Sequence, residues 1–123
     1  MSASSSDAST TQKFLKKFRL KNAAEFEKVY QRGAKRVSRS FLLFELSNGA
    51  DYSRFGLTTS RKLGKAHDRN RIRRRVREIL RASRLVIPPG FDYVVNPRRS
   101  ALDRDFELLR SELLALFGAA RHG

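Results

Sequence analysis

The chain contains no cysteine, so disulfide bonds and thiolate metal sites are excluded, which is compatible with a reducing cytosol. Long apolar runs are also missing. The longest, at Phe41–Phe44, Leu85–Ile87 and Leu113–Phe117, are too short for a helix that crosses a membrane. Residues 1–12 lack the basic start and the apolar stretch of a secretory signal. We therefore expect a cytoplasmic protein with no membrane partner.

Acidic residues are scarce in this sequence. There are 12 Asp and Glu against 27 Lys and Arg, so the 123 residues carry a net charge of +15 and have a pI near 11.3. Repulsion among these charges opposes the compact state, and we expect a bound polyanion to stabilise the fold. Nucleic acid is the first candidate for that polyanion. A membrane surface is the second, but the short apolar runs disfavour it.

The composition is even after the first dozen residues and contains no internal repeat, which indicates a single small domain. We place this domain at residues 18–118. Residues 1–17 are rich in serine, threonine and alanine at their start and are expected to form a disordered tail. Residues 119–123 are expected to form a short C-terminal tail.

The first predicted helix begins at Asn22. Asn22 and Glu25 have the spacing of a capping box, in which the cap side chain and the third helical residue bond each other's backbone N–H groups. Gly33 supplies the end of the helix. Three apolar residues recur on one face of it, Phe26, Val29 and Tyr30.

Strand-like patterns follow this helix. The pattern covers Val37–Phe55, with an apolar run at Phe41–Leu46 and a turn at Asn48-Gly49, and a second run passes through Phe55–Thr59. Phe91–Val95 is predicted to be a buried strand. The predicted order is therefore helix, two or three strands, helix, strand, helix, an α+β fold with helices packed against one small sheet.

The segment after Val95 contains Asn96-Pro97. Proline has no N–H for a strand ladder, so we expect the last strand to end early or to lie at an edge. Ser100–Asp103 then begins a final helix that is expected to pack on the sheet. Its apolar face carries Leu102, Phe106, Leu109, Leu113, Leu116 and Phe117.

Residues 61–84 are the most basic part of the chain, with eleven Lys and Arg against two acids. On a helix, Ile72, Val76, Ile79 and Leu80 fall on one buried stripe. A contiguous opposite side carries Asn70, Arg73, Arg74, Arg77, Arg81 and Arg84. A merely solvated face usually mixes charges of both signs, and like charges one turn apart destabilise a helix. The pattern therefore favours phosphate binding, because a guanidinium group can bond two oxygens at once.

The stretch from Gly56 to Glu78, GLTTSRKLGKAHDRNRIRRRVRE, resembles the signature of the bacterial ribonuclease P protein subunit, in which a short strand and a basic loop precede an Arg-Asn-Arg helix. The similarity extends over Phe18–Phe117. It implies the order α-β-β-β-α-β-α with a left-handed crossover around the basic helix, against the general preference for right-handed ones. It also implies two partners, the ribonuclease P RNA and precursor tRNA, and we predict no protein partner.

The resemblance also suggests site residues. The candidates for RNA binding are Arg61, Lys62, Lys65, Arg69, Asn70, Arg71, Arg73, Arg74, Arg77 and Arg81. Phe26, Tyr30 and Phe44 would line a cleft between the first helix and the sheet that holds the single-stranded 5′ leader, since unpaired bases stack on aromatic rings. Arg61, Lys62 and Arg19 are candidates to neutralise leader phosphates. From spacing alone, Phe26 fits a core position better, Tyr30 fits either role, and a one-residue shift of register would turn Phe44 to the other face.

We predict no catalytic residue and no metal site in the protein. The two histidines, His67 and His122, are far apart in the sequence, and no phosphate-binding loop, serine triad or metal-ligand pattern is present. Catalysis is therefore assigned to the RNA, with Mg²⁺ bound through the RNA and no cofactor held by the protein alone. The alternative is a structural RNA-binding module, either a ribosomal protein or an RNA chaperone. A DNA-binding basic helix is disfavoured because no leucine heptads follow Arg84.

Overall fold

The computed structural model describes residues 18–122, with side chains to residue 118. The elements are α1 (Ala23–Arg32), β1 (Ala34–Val37), β2 (Phe41–Ser47), β3 (Arg54–Leu57), α2 (Ala66–Ser83), β4 (Phe91–Pro97) and α3 (Phe106–His122). Two short 3₁₀ turns, Arg61–Leu63 and Arg99–Asp103, precede α2 and α3. This confirms the predicted α-β-β-β-α-β-α order. The tail predicted at 1–17 lies outside the described residues, and the backbone of residues 119–122 continues α3.

The four strands form one sheet in the order β1-β2-β4-β3. β4 pairs antiparallel with β2 and parallel with β3, so the consecutive strands β2 and β3 are not neighbours. The connection between the parallel strands β3 and β4 contains α2, which makes α2 the crossover helix. The hand of this crossover stays a prediction.

The expectation that the last strand ends early or lies at an edge is wrong. β4 is an inner strand that extends to Pro97, which pairs with Phe41. Arg98 N–H donates to Ser40 O (2.7 Å), so the nitrogen of the preceding Pro97 points away from β2. On the β3 side, Thr58 N–H donates to Val95 O (3.1 Å), and the next bond of that ladder would need an N–H at Pro97. The proline therefore ends only the parallel ladder.

The helices cover both faces of the sheet. α2 and α3 share one core with Phe41, Leu43, Tyr93 and Val95, while α1 packs on the opposite face against Val94. The predicted stripe of α2 is confirmed, because its four apolar residues are at most 4% exposed. Burial of each such side chain contributes about 1.5–3 kcal/mol.

The final helix packs on the sheet as predicted, with Leu109, Leu113 and Phe117 buried in the core. Its predicted start at Ser100 is wrong. Residues 99–103 form a 3₁₀ turn, and the extended backbone of Arg104 (φ −92°, ψ 147°) separates this turn from the helix that begins at Phe106.

α1 is held at both ends. The capping box is confirmed, with Glu25 N–H donating to Asn22 Oδ1 (3.0 Å) and Asn22 N–H donating to Glu25 Oε1 (3.3 Å). Gly33 ends the helix where a Cβ atom would lie 2.6 Å from both Glu45 O and Val29 O. No other residue fits that position without movement of the backbone.

An ion-pair network fixes α1 against the sheet. The Arg54 guanidinium donates to Glu25 Oε2 (2.8 Å) and to both carboxylate oxygens of Asp92 (3.0 and 2.7 Å). Hydrogen bonding from Lys21 N–H, together with Arg54, lowers the pKa of Glu25 although burial opposes the shift. The network therefore stays ionised at neutral pH and joins the start of α1 to β3 and β4.

Candidate nucleic-acid interface

Three arginines of α2 form an exposed surface, which we call the arginine face: Arg74, Arg77 and Arg81. They lie three and four residues apart, so they project on the same side of the helix. The buried stripe on the opposite side fixes the rotation of α2 and directs this face away from the α3 core. In residues 18–118, no acidic side chain forms an ion pair with any of the three.

Electrostatic repulsion is present at this surface. Partial desolvation lowers the pKa of Arg77, and the nearby positive charges of Arg19 and Arg73 lower it further. A group whose charge is disfavoured by its neighbours in the free protein gains more than usual when an anion binds. Within residues 18–118 the positive charge of the arginine face is therefore not balanced by an ion pair, which favours an anion as its ligand.

Three other arginines of α2 form hydrogen bonds within the protein. Arg69 Nη1 donates to Gly64 O (2.9 Å), Arg71 Nη2 donates to Leu102 O (2.6 Å) and Arg75 Nη1 donates to Arg104 O (3.2 Å). These bonds tie α2 to the loop before it and to the segment before α3. An RNA contact of Arg69 or Arg71 stays a prediction, but both have a structural role that the sequence did not reveal.

Asn70 and Arg73 form a bonded pair at the edge of the arginine face. Arg73 donates to Asn70 Oδ1 (2.6 Å) and to Thr59 Oγ1. The bond to Asn70 holds the Arg73 guanidinium in place. The loop cations Arg61, Lys62 and Lys65 are exposed beside them, and buried Leu63 anchors that loop in the core.

Tyr30 and Phe44 form an aromatic pair on the α1 face of the sheet. Their rings meet edge to face with centroids 4.9 Å apart. The register that pairs Phe44 with Val94 places it under α1, which removes the ambiguity about its face. The Tyr30 hydroxyl lies 3.0 Å from Thr58 Oγ1 and donates to Asn96 Oδ1 (3.0 Å). Both rings are half-buried, so each keeps surface for a ligand.

Phe26 packs against the same small core cluster as this pair and also lies against Gly56. A Cβ atom at Gly56 would lie 2.6 Å from the Phe26 ring, so the glycine allows the ring to pack directly on β3. Phe26 also lines a cavity of about 710 Å³, which we call the basic cavity. It lies between the arginine face, β3 and the segment Phe18–Leu20, and Arg19 and Glu78 also line it. Of the three predicted cleft aromatics, only Phe26 borders this space.

Among the described residues, the acidic side chains do not gather into a metal site. In the part of the chain that the structure describes, no three His, Asp or Glu side chains come together in a group that could hold a metal ion. Glu112 instead accepts hydrogen bonds from Ser38 Oγ and Ser40 N–H; burial opposes the shift, but these bonds lower its pKa. Over the same residues, no helix is long and apolar enough to cross a membrane.

Comparison with known proteins gives a consistent result. The family model for ribonuclease P matches residues 14–121. The ribonuclease P protein component of Thermotoga sp. strain RQ2 is 39% identical over 110 residues, which are 86% of this chain and 94% of the relative. That of Geobacillus kaustophilus is 39% identical over 100 residues, 80% and 83% of the two chains.

Solved structures agree with this result. The RNase P protein of Thermotoga maritima superposes with a TM-score of 0.76 at 40% identity, covering 80% of this chain and 94% of that one. A mutant RNase P protein of Staphylococcus aureus gives 0.82 at 29% identity, covering 88% and 92%. The chain therefore belongs to the family of ribonuclease P protein components, which are parts of an RNA-processing enzyme.

Proposed function

We propose that this chain binds the ribonuclease P RNA through the arginine face and holds the 5′ leader of precursor tRNA on the Tyr30–Phe44 pair. The observation that carries this proposal is the combination of three arginines that form no ion pair within residues 18–118 and an aromatic pair on the α1 face of the sheet. Thr58 contacts Tyr30 and Thr59 contacts Arg73, so two consecutive residues join the aromatic pair to the edge of the arginine face.

The arginine face suits a folded RNA backbone. Guanidinium groups bind phosphate oxygens in pairs and are more weakly hydrated than lysine ammonium groups. Because none of the three arginines forms an ion pair within residues 18–118, RNA binding breaks no such pair at this face. The loop cations Arg61, Lys62 and Lys65 extend the positive surface at the start of α2.

The aromatic pair suits a single strand. Stacking on rings tolerates any base, as an enzyme that processes many different leaders requires. Lys35 lies 6.0 Å from the centre of the Phe44 ring and supplies a cation for the backbone of such a strand.

We assign the cleavage step to the RNA. The protein's share is to bind and orient both RNAs and to lower their mutual repulsion through its positive charge. Mg²⁺ would be bound through the RNA, and action on precursor tRNA would place the protein in the cytoplasm.

The test adds the purified full chain to a bacterial ribonuclease P RNA at low Mg²⁺ and measures cleavage of precursor tRNA. We expect faster cleavage and tighter substrate binding with the protein than without it. No gain in either quantity, with RNA binding retained, would refute this function and favour a structural RNA-binding module.

Matched variants separate the two surfaces. Arg74→Ala and Arg77→Ala should weaken assembly with the RNA, whereas Arg39→Ala, which removes an exposed arginine elsewhere, should not. Tyr30→Ala should leave assembly intact and weaken binding only of substrates that carry a leader. Equal weakening of both by Tyr30→Ala would show that the cleft assignment is wrong.

A further inference from the structure

The basic cavity has the size and walls of a ligand site. Its volume of about 710 Å³ lies within the range of about 300–1,000 Å³ that is typical of small-molecule pockets. Phe18, Leu20, Phe26 and Leu57 make its apolar walls, and Arg19 lines the cavity together with the arginine face. An apolar interior with a cationic rim matches a ligand that has a flat ring at one end and a phosphate at the other.

The edge of β3 adds hydrogen-bonding groups to the cavity wall. Phe55 N–H donates to Phe18 O (2.7 Å), and Phe55 O accepts from Leu20 N–H (2.9 Å), so the segment Phe18–Leu20 covers β3 at that point. Strand alternation turns the N–H and C=O of Leu57 to the same outer edge. Neither group has a hydrogen-bond partner within residues 18–122. Among the described residues, Leu57 thus has one unbonded donor and one unbonded acceptor beside the apolar walls.

The charges on the rim are suited to a phosphate. Arg19 and Arg77 come from different segments and repel one another, and this repulsion is one cause of the lowered pKa of Arg77. A phosphate between them would remove that repulsion and could bond both guanidinium groups. Glu78 is the one acid among the lining residues of the cavity and opposes anion binding.

We propose that the basic cavity binds one unpaired nucleotide of the ribonuclease P RNA, with its base against the apolar walls and the Leu57 edge and its phosphate between Arg19 and Arg77. We assign the nucleotide to this RNA rather than to the leader because the arginine face forms one wall of the cavity, while the aromatic pair lies outside it. This inference rests on the proposed function, which assigns the arginine face to the ribonuclease P RNA.

The first experiment titrates the full chain with nucleoside 5′-monophosphates and, separately, with inorganic phosphate, followed by amide NMR. Nucleoside monophosphates should shift the Leu57 amide resonance. Inorganic phosphate should shift the arginine side-chain resonances and leave the Leu57 amide resonance unchanged. If both probes shift the Leu57 amide resonance identically, the cavity binds anions without recognising a base, and the proposal is overturned.

Two variants with opposite effects exclude misfolding as the explanation. Arg19→Ala should weaken nucleoside monophosphate binding roughly tenfold, the loss expected for a charged hydrogen bond. Glu78→Gln should strengthen it about twofold by removing an exposed repulsive charge. Arg39→Ala and Asp51→Asn remove the same charges at exposed positions that do not line the cavity, and both should leave the affinity unchanged. Failure of Glu78→Gln to strengthen binding would count against the site.

The holoenzyme distinguishes the source of the nucleotide. Arg19→Ala should weaken assembly with the ribonuclease P RNA to the same extent whether or not a substrate with a leader is present. An effect of Arg19→Ala that occurs only with leader-bearing substrates would assign the cavity to the leader and refute the proposal. If the wild-type chain stimulates cleavage but shows no nucleoside monophosphate binding, only the cavity assignment fails. If it does not stimulate cleavage, the proposed function fails instead.

Discussion

The arginines of α2 differ in their partners, and this difference predicts two separable effects on RNA binding and on stability. Replacing all three residues of the arginine face with alanine removes side chains that have no acidic partner within residues 18–118. Each phosphate that the variant no longer binds should flatten the plot of log affinity against log salt by about 0.7–0.9, so the triple variant should flatten it by about 2.1–2.7. Between 50 and 200 mM salt, the wild type should therefore lose roughly 20- to 40-fold more affinity for the RNA than the variant does.

Arg71→Ala should behave in the opposite way. It removes the bond from Arg71 to Leu102 O (2.6 Å), which joins α2 to the 3₁₀ turn before α3. A hydrogen bond from a charged group contributes about 1.5–3 kcal/mol, so the thermal midpoint should fall by roughly 6 °C or more. The salt slope should change less than it does for loss of one residue of the arginine face, because the bond that Arg71→Ala removes is internal to the protein.

The assay measures equilibrium binding to the ribonuclease P RNA at several salt concentrations and constant Mg²⁺, with thermal unfolding of each variant in parallel. A control with Arg32, Arg39 and Arg99 replaced by alanine has the same net charge as the arginine-face variant, and all three side chains are exposed. If the control flattens the slope as much as the arginine-face variant, then net charge rather than a defined surface governs binding. A flatter slope for Arg71→Ala without a loss of stability would contradict the division of the arginines.

Four further predictions concern the aromatic pair and stability. Tyr30→Phe keeps the ring but loses the hydroxyl bonds, so leader-bearing precursor should bind it more tightly than Tyr30→Ala and more weakly than wild type. Gly33→Ala places a Cβ atom 2.6 Å from Val29 O and Glu45 O and should cost about 1–3 kcal/mol in denaturant unfolding. The folded state lowers the pKa of Glu112, so its stabilisation is complete above pH 4.5 and is lost as the pH falls below that value; Glu112→Gln should flatten the acid limb of a plot of thermal midpoint against pH. Burial raises the pKa of Glu45, so the ionisation of Glu45 at pH 7 destabilises the folded state. Glu45→Gln should therefore raise the thermal midpoint at pH 7.

The parts of the fold that follow from local chemistry were predictable from the sequence. Asn22 and Glu25 are three residues apart, and their side chains form the capping box that this spacing indicates. The buried stripe of α2 follows from the 3.6-residue period alone. Sequence also placed Arg74, Arg77 and Arg81 on the exposed side, since that side is defined by the same period.

The features that depend on pairing between distant segments were not predictable. β4 lies between β2 and β3, so the effect of Pro97 depends on which neighbour its nitrogen faces. The segment Phe18–Leu20 has no strand period of its own. Its pairing with Phe55 creates one wall of the basic cavity, and only the fold brings these residues together.

The internal partners of the basic helix explain how it keeps its charge in a folded domain. Arg69, Arg71 and Arg75 bond backbone carbonyl oxygens, which satisfy guanidinium donors without cancelling their positive charge. Carboxylate partners would have held the helix in place equally well, but each would have removed one unit of charge. In residues 18–118, all four ion pairs lie outside α2 and link Arg54 with Glu25 and Asp92, Arg104 with Glu112, and Arg110 with Glu107. The fold thus fixes α2 through neutral acceptors and leaves the net positive charge of residues 61–84 available to a polyanion.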